Sequence, residues 1–259
     1  MSSAEDEPWP PVPPDMAYED MEANEVLEDP CRPFLVHQQQ LYKTKDGTKV
    51  YKMGGEQRGY DLHRAAGDCG IKTHGRVLLK IPSTGMISFQ GYFMDLASPL
   101  SHTSTMPTQR KRIIREMVEV IEALHNKYII HGDVKLENML LDAEGHVKLC
   151  DFEEAIFEDE DEEIWEGNIT WHYVSPNRRR REEELGHDAP PRKEDDLYGL
   201  GLSIWSFCTG QIPFEEIAQD DLALREVLLR GDTVDLGLMD DEETKDIVRE
   251  YLRQGGARV

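Results

Sequence analysis

The feature that most constrains this chain is a polar run set among apolar residues near its middle, His131-Gly-Asp133-Val-Lys135-Leu-Glu-Asn138, with Met139-Leu-Leu141 directly behind it. A second polar group, Asp151-Phe152-Glu153, follows Val147-Lys-Leu149-Cys150 and begins ten residues after Leu141. Met139 to Leu141 and Val147 to Leu149 read as two short strands joined by the turn Asp142-Ala-Glu-Gly145. Ahead of them, from Thr108 onward, Ile113, Ile114, Met117, Val118, Val120, Ile121 and Leu124 recur at helical spacing and define one buried face.

The first run resembles the protein-kinase catalytic loop, H-R-D-x-x-x-x-N, and the second resembles the metal-binding D-F-G segment. As ordinary surface polars of a βαβ protein, the two would have no reason to occur in this order and at this spacing. Further matches follow. Ile169-Thr170-Trp-His-Tyr173-Val-Ser175-Pro176-Asn177 resembles the segment leading into A-P-E. Asp195-Asp196-Leu-Tyr-Gly-Leu-Gly201 resembles the start of the large central helix, whose Asp, here Asp196, braces the catalytic loop. Thr209-Gly-Gln-Ile-Pro213-Phe214 and Tyr251-Leu-Arg-Gln-Gly-Gly-Ala-Arg258 resemble the loop after that helix and the closing segment. The resemblance covers about Leu96 to Val259.

It implies ATP- and Mg²⁺-dependent phosphoryl transfer to protein Ser/Thr hydroxyls. The transition state of such a transfer is loose, so the protein chiefly positions groups and neutralises charge. Asp133 would orient the substrate hydroxyl and accept its proton. Lys135 would project toward the transferred phosphoryl and, with Thr170, favour Ser/Thr substrates. Asn138 and Asp151 would ligate Mg²⁺, Asp151 with the hard anionic oxygen that ion requires.

The first part of the chain follows the family pattern less closely. Leu41 to Thr44 and Thr48 to Met53 form a hairpin pattern about Asp46-Gly47, which supplies the positive φ of a tight turn. Tyr60 to Gly67 reads as a short helix closed by Gly67, and Val77 to Ile81 and Met86 to Leu96 read as strands. Within Val50-Tyr51-Lys52, Lys52 is the candidate phosphate-binding lysine, with Glu56 or Asp61 as its helix partner. Later helices are expected at Leu197 to Thr209, Asp221 to Leu229 and Glu242 to Gln254. Strands first and helices afterwards suit an α+β, two-lobed kinase-like fold. The expected division is an acidic, Pro-rich disordered tail over 1–30, a reduced N-lobe over 31–97 and a C-lobe over 98–259.

Four departures from the family pattern bear on mechanism. Gly132 replaces the Arg that pairs with a phosphorylated activation loop, Glu153 replaces the Gly of D-F-G, and Asn177 replaces the Glu of A-P-E, leaving Arg258 without its expected partner. No glycine lies between Cys31 and Gln40, where a glycine-rich loop would sit. The acidic run Glu158 to Glu163 and the basic run Arg178 to Arg181 read as two solvated loops, or as a pair that fixes the activation segment without phosphate. The basic run is also a possible nuclear signal, weakened by Glu182-Glu-Glu184.

The formal net charge of −23 argues against a nucleic-acid partner. Residues 1–30 hold ten acids and no Lys or Arg, a composition that resists folding alone. No apolar run is long enough to span a bilayer, and the N-terminus lacks the pattern of a signal peptide. The four cysteines form no C-x-x-C pair and read as reduced thiols of an intracellular protein, cytoplasmic or nuclear. A protein substrate is expected; oligomeric state has no signature. Two rival functions are a pseudokinase or kinase-fold binding module without catalysis, and a small-molecule kinase, whose loop also reads H-G-D. Lys135, Thr170 and Thr209 to Phe214 favour the protein-kinase class over the latter.

Overall fold

The computed structural model describes residues 14–23, 26–28, 34–36, 39–102, 106–160, 170–217 and 220–259. Its first half is a six-stranded sheet, β1 (Met16–Ala17), β2 (Phe34–Val36), β3 (Gln39–Lys43), β4 (Lys49–Met53), β5 (Thr73–Lys80) and β6 (Ile87–Asp95), ordered β1-β5-β6-β4-β3-β2. All neighbours are antiparallel except β1 and β5. The predicted hairpin is β3–β4, with Tyr42 opposite Tyr51 and Leu41 opposite Lys52. Strand pleat sends alternate side chains to opposite faces. In β4, Tyr51 joins Tyr42, Val77 and Phe93 on one face, while Val50 joins Leu41, Tyr60 and Tyr92 on the other.

Helix α2 (Gln57–Ala66) packs on that second face and ends at Gly67. After β7 (Ser98–Pro99), α3 (Pro107–His125) buries the predicted stripe, with Ile113, Met117, Ile121 and Leu124 essentially inaccessible. The hairpin β9 (Met139–Leu141) and β10 (Val147–Leu149) lies beside it, and β8 (Ile129–Ile130) pairs with β11 (Ile156–Phe157). Helices α4 (Pro176–Leu185), α5 (Lys193–Thr209), α6 (Asp221–Arg230) and α7 (Glu242–Gln254) complete the second half. Its core joins Val120, Tyr198, Phe207 and Leu252. The arrangement is two-lobed and α+β. Among the described residues no helix is long and apolar enough to cross a membrane. Cys69, Cys150 and Cys208 are free thiols; Cys31 lies outside the described residues.

Two segments differ from the sequence reading. Order within 1–30 begins well before Phe34: β1 pairs with β5 through Met16 opposite Val77, and α1 (Tyr18–Ala23) places Met21 in the face holding Tyr51 and Phe93. Asp15 grips Arg76 with both oxygens, at 3.0 Å from Nε and 2.6 Å from Nη2. Of the acids expected to keep this stretch unfolded, Glu19 and Asp20 are exposed. Most of the proline cluster, Pro8 to Pro13, lies outside the described residues. The second segment is α4, which has no apolar stripe. It is set by its ends instead: Ser175 Oγ accepts from the Arg178 N–H, Pro176 opens the first turn, and Gly186 closes the helix at φ 76°.

Candidate active site

The catalytic-loop segment hangs between β8 and β9 and is held from below by α5. Buried Asp196 accepts from the backbone N–H groups of His131 at 2.8 Å and Gly132 at 2.9 Å, and its Oδ2 lies 2.8 Å from His125 Nε2. His131 Nε2 lies 3.0 Å from the carbonyl of Cys150, which ties the loop to the end of β10. Gly132 has φ 78°, and a Cβ there would lie 2.3 Å from the Glu154 carbonyl oxygen. No side chain fits that position.

The loop's polar residues converge. Lys135 Nζ donates to Asp133 Oδ2 at 2.5 Å and to Thr170 Oγ1 at 2.8 Å. Asn138 Nδ2 donates to the Asp133 carbonyl at 2.9 Å and to Oδ2 at 3.1 Å. Two donors on one carboxylate fix its rotamer.

Across the cleft, Lys52 of β4 reaches Asp151 Oδ1 at 2.8 Å and Glu153 Oε1 at 2.5 Å. Burial opposes the charge on Lys52, but Tyr92, Asp151 and Glu153 around it hold its pKa well above the usual value. Burial likewise raises the Asp151 pKa, and Lys52 more than reverses this, leaving it below the usual carboxylate range. Asp151 sits at φ 64°, uncommon for a residue with a side chain. The turn directs its carboxylate to Lys52 and sends Phe152 into the core, where Phe152 stacks 4.6 Å from His63 and lies tilted 4.8 Å from His131. His63 Nδ1 lies 3.1 Å from the Tyr92 hydroxyl. Burial and the nearby Lys52 charge push the His63 pKa down to about 3, so its ring is neutral at physiological pH.

A cavity of about 610 Å³ separates the halves, lined by Leu41, Val50 and Leu140 at its apolar part and by Lys52, Asn138 and Asp151 at its polar part. Of the residues singled out from sequence, Lys52, Asn138 and Asp151 line this cleft, and Asp133 and Lys135 connect to it through the hydrogen bonds of Asn138 and Lys135 to the Asp133 carboxylate. Neither Glu56 nor Asp61 is the partner of Lys52. Glu56 is exposed, and Asp61 lies 3.9 Å from Arg64. Helix α2 instead presents Gly59 toward Glu153. The clue in the sequence was the carboxylate at position 153, where the family has glycine.

The acidic and basic runs do not pair with each other among the described residues. Glu158 binds Lys193 at 2.7 Å and Glu160 binds Arg58 at 2.5 Å, while 161–163 lie outside the described residues. The arginines serve α4 and its surroundings: Arg178 donates to the carbonyls of Gly132 at 3.2 Å and Ala189 at 3.0 Å, Arg179 packs 4.9 Å over Trp171, and Arg181 meets Asp195 at 2.5 Å. Arg180 donates to Asn177 Oδ1 at 3.1 Å, and Asn177 Nδ2 donates to the Gln254 carbonyl at 3.1 Å. The neutral Asn177 amide thus joins α4 to the closing segment where the family uses an ion pair with Arg258, which is exposed.

The protein kinase domain matches this chain over residues 87–253, more than half its length, and the chain belongs to the protein kinase family. It is 28% identical over 237 residues to cGMP-dependent protein kinase 2 of Homo sapiens, covering 88% of this chain and 24% of that protein. With mitogen-activated protein kinase kinase kinase 3 of Arabidopsis thaliana it shares 34% identity over 106 residues, 40% of this chain and 18% of the relative. The chain spans less than a third of the length of these relatives. In structure it is similar to the Cydia pomonella granulovirus kinase PK-1, with a TM-score of 0.54 and 21% identity over 83% of this chain and 82% of that one. That likeness concerns the fold.

Proposed function

We propose that this protein transfers phosphoryl groups from Mg²⁺-bound ATP to Ser and Thr hydroxyls of protein substrates. The observation that carries the reading is the unit formed by Asp133, Lys135 and Thr170 at the edge of the cleft whose far end is Lys52 and Asp151. The cleft suits a nucleotide: apolar side chains line the part where a base would lie and Lys52 serves the phosphates. The donor set also suits Mg²⁺. Asp151 is held ionised, and the Asn138 amide nitrogen is committed to the loop, which turns its carbonyl oxygen into the atom offered to a cation. Two protein ligands are enough for an ion that draws its remaining ligands from phosphate and water. Bound there, the cation neutralises charge developing on the phosphates. Asp133 orients the acceptor hydroxyl and takes its proton, and Lys135 offsets negative charge beside it.

Thermal shift with ATP, with and without Mg²⁺, tests the reading. Ligand at 100 times its Kd stabilises the fold by ~2.7 kcal/mol. Asp151→Ala should remove the Mg²⁺-dependent part of that gain. No shift at any nucleotide concentration, together with no transfer to a Ser/Thr peptide library, would sink it. A second reading, a kinase fold that does not transfer, has one observation in its favour: Glu153 already occupies Lys52.

A further inference from the structure

We propose that Glu153 is the positioning carboxylate for Lys52, in the space that a helix side chain would take, and that Gly59 and Gly55 are the vacancies that admit it. The inference rests on the reading of Lys52 as the phosphate-binding lysine. Lys52 is almost wholly buried, so it needs a carboxylate that stays with it when Asp151 turns to a cation. Helix α2 supplies none. Its face toward the cleft carries Gly59, where a Cβ would lie 3.2 Å from both Cα and Cγ of Glu153. At Gly55, with φ 75°, a Cβ would lie 2.5 Å from Glu153 Oε1. Glycine inside a helix is unfavourable by itself, and close approach of another chain segment is the ordinary reason to keep one. Here that segment is 152–153.

The relocation changes what positions the lysine. A carboxylate on a helix reaches its lysine only when the helix is swung in, whereas Glu153 lies two residues from Asp151 on the same segment. Helix α2 is fastened by other means: Arg58 Nη1 donates to the Ala155 carbonyl at 2.6 Å and its Nη2 meets Glu160 at 2.5 Å. The pair on Lys52 is therefore a fixed part of the cleft and not a point of control by α2.

The test exchanges the two positions. Four proteins are compared, the wild type, Glu153→Gly, Gly59→Glu and the double variant, by melting without nucleotide and by Kd for Mg²⁺-ATP. Glu153→Gly should melt lower and bind Mg²⁺-ATP about tenfold more weakly or worse, as expected for loss of a hydrogen bond to a charged group. Gly59→Glu alone should also melt lower, because a second carboxylate and its Cβ press on Glu153. The double variant should recover both readouts relative to Glu153→Gly, which a merely structural role for Glu153 does not predict. Glu153→Gln, which keeps the shape, should follow Glu153→Gly in affinity. A double variant no better than Glu153→Gly overturns the inference. So does tighter Mg²⁺-ATP binding by Glu153→Gly, which would make Glu153 an obstruction. If the wild type binds no nucleotide while the melting cycle shows recovery, the functional reading fails and the relocated pair stands.

Discussion

Arg178, buried in α4, donates a hydrogen bond from Nη1 to the carbonyl of Gly132 in the catalytic loop at 3.2 Å. In kinases of the usual pattern the cation at this place stands next to the catalytic Asp and is neutralised by a phosphate. Here Gly132 cannot carry one, since the Glu154 carbonyl fills the space of its Cβ. The cation comes from α4, where burial lowers its pKa and carboxylates of the fold itself partly offset this, Asp195 and Glu154 nearby and Glu182 3.6 Å from its Nε. Protein treated with phosphatase should therefore transfer as fast as untreated protein, with intact mass measured alongside rate. Restoration of a silenced enzyme by rephosphorylation between Asp151 and Pro176 would refute this. Arg178→Ala leaves Glu182 to Arg179 and Asp195 to Arg181 but strands the carbonyls of Gly132 and Ala189, and should cost about 1–3 kcal/mol in denaturant unfolding.

The Asp133 carboxylate accepts from Lys135 and Asn138. Replacing it by Asn keeps the volume and removes the proton acceptor. Transfer by Asp133→Asn should fall by about 10²–10⁴, the usual contribution of a positioned general base, while its melting temperature stays near that of the wild type. Undiminished transfer in the purified variant would remove Asp133 from the mechanism.

Regular elements could be read from the chain because their signals are local. The stripe Ile113 to Leu124, the Asp46-Gly47 turn and the pieces 139–141 and 147–149 appear as helix, hairpin and strands with almost the expected bounds. What escaped depends on distance or on averaging. The partner of Lys52 lies 101 positions away, and which carboxylate reaches it is decided by the absent side chain of Gly59. The β1–α1 segment was hidden by its acids, because a mean over 1–30 cannot show that Met16, Tyr18 and Met21 share one packed cluster. Helix α4 has caps at both ends but no periodic apolar face, so no hydrophobic period marks it in the sequence.

The neutral ring of His63 makes a pH prediction. Its pKa is about 3 in the folded protein against 6.5 for an unperturbed histidine, so between those values the unfolded chain binds a proton that the folded one does not. Stability therefore falls as pH drops below 6.5. Between about pH 7.5 and pH 5 this single residue should account for about 2 kcal/mol of lost stability. His63→Phe keeps the stack on Phe152 and removes the titration. It loses the contact with Tyr92 and should be less stable at pH 7, yet its stability should change less from pH 7 to pH 5. Identical slopes for the two proteins would show that His63 titrates normally.

The N-terminal segment should be part of the folded lobe and not a tail. Met21 is 4% exposed and packs with Tyr42, Tyr51, Val77 and Phe93, a sheet face that would otherwise meet water. Its path depends on Gly75, where a Cβ would lie 1.7 Å from the Pro14 carbonyl oxygen. The segment cannot keep this course past any larger residue. Met21→Ala should lower stability by about 2–5 kcal/mol, the range for emptying a buried Met site. Gly75→Val should displace the segment while leaving Tyr51 and Phe93 in place, which would appear as new binding of a hydrophobic dye and as proteolytic cleavage within 14–28. Removing residues 1–28 should reproduce that dye binding. A truncated protein that melts with the full chain and binds no more dye would show that the segment contributes nothing to the lobe.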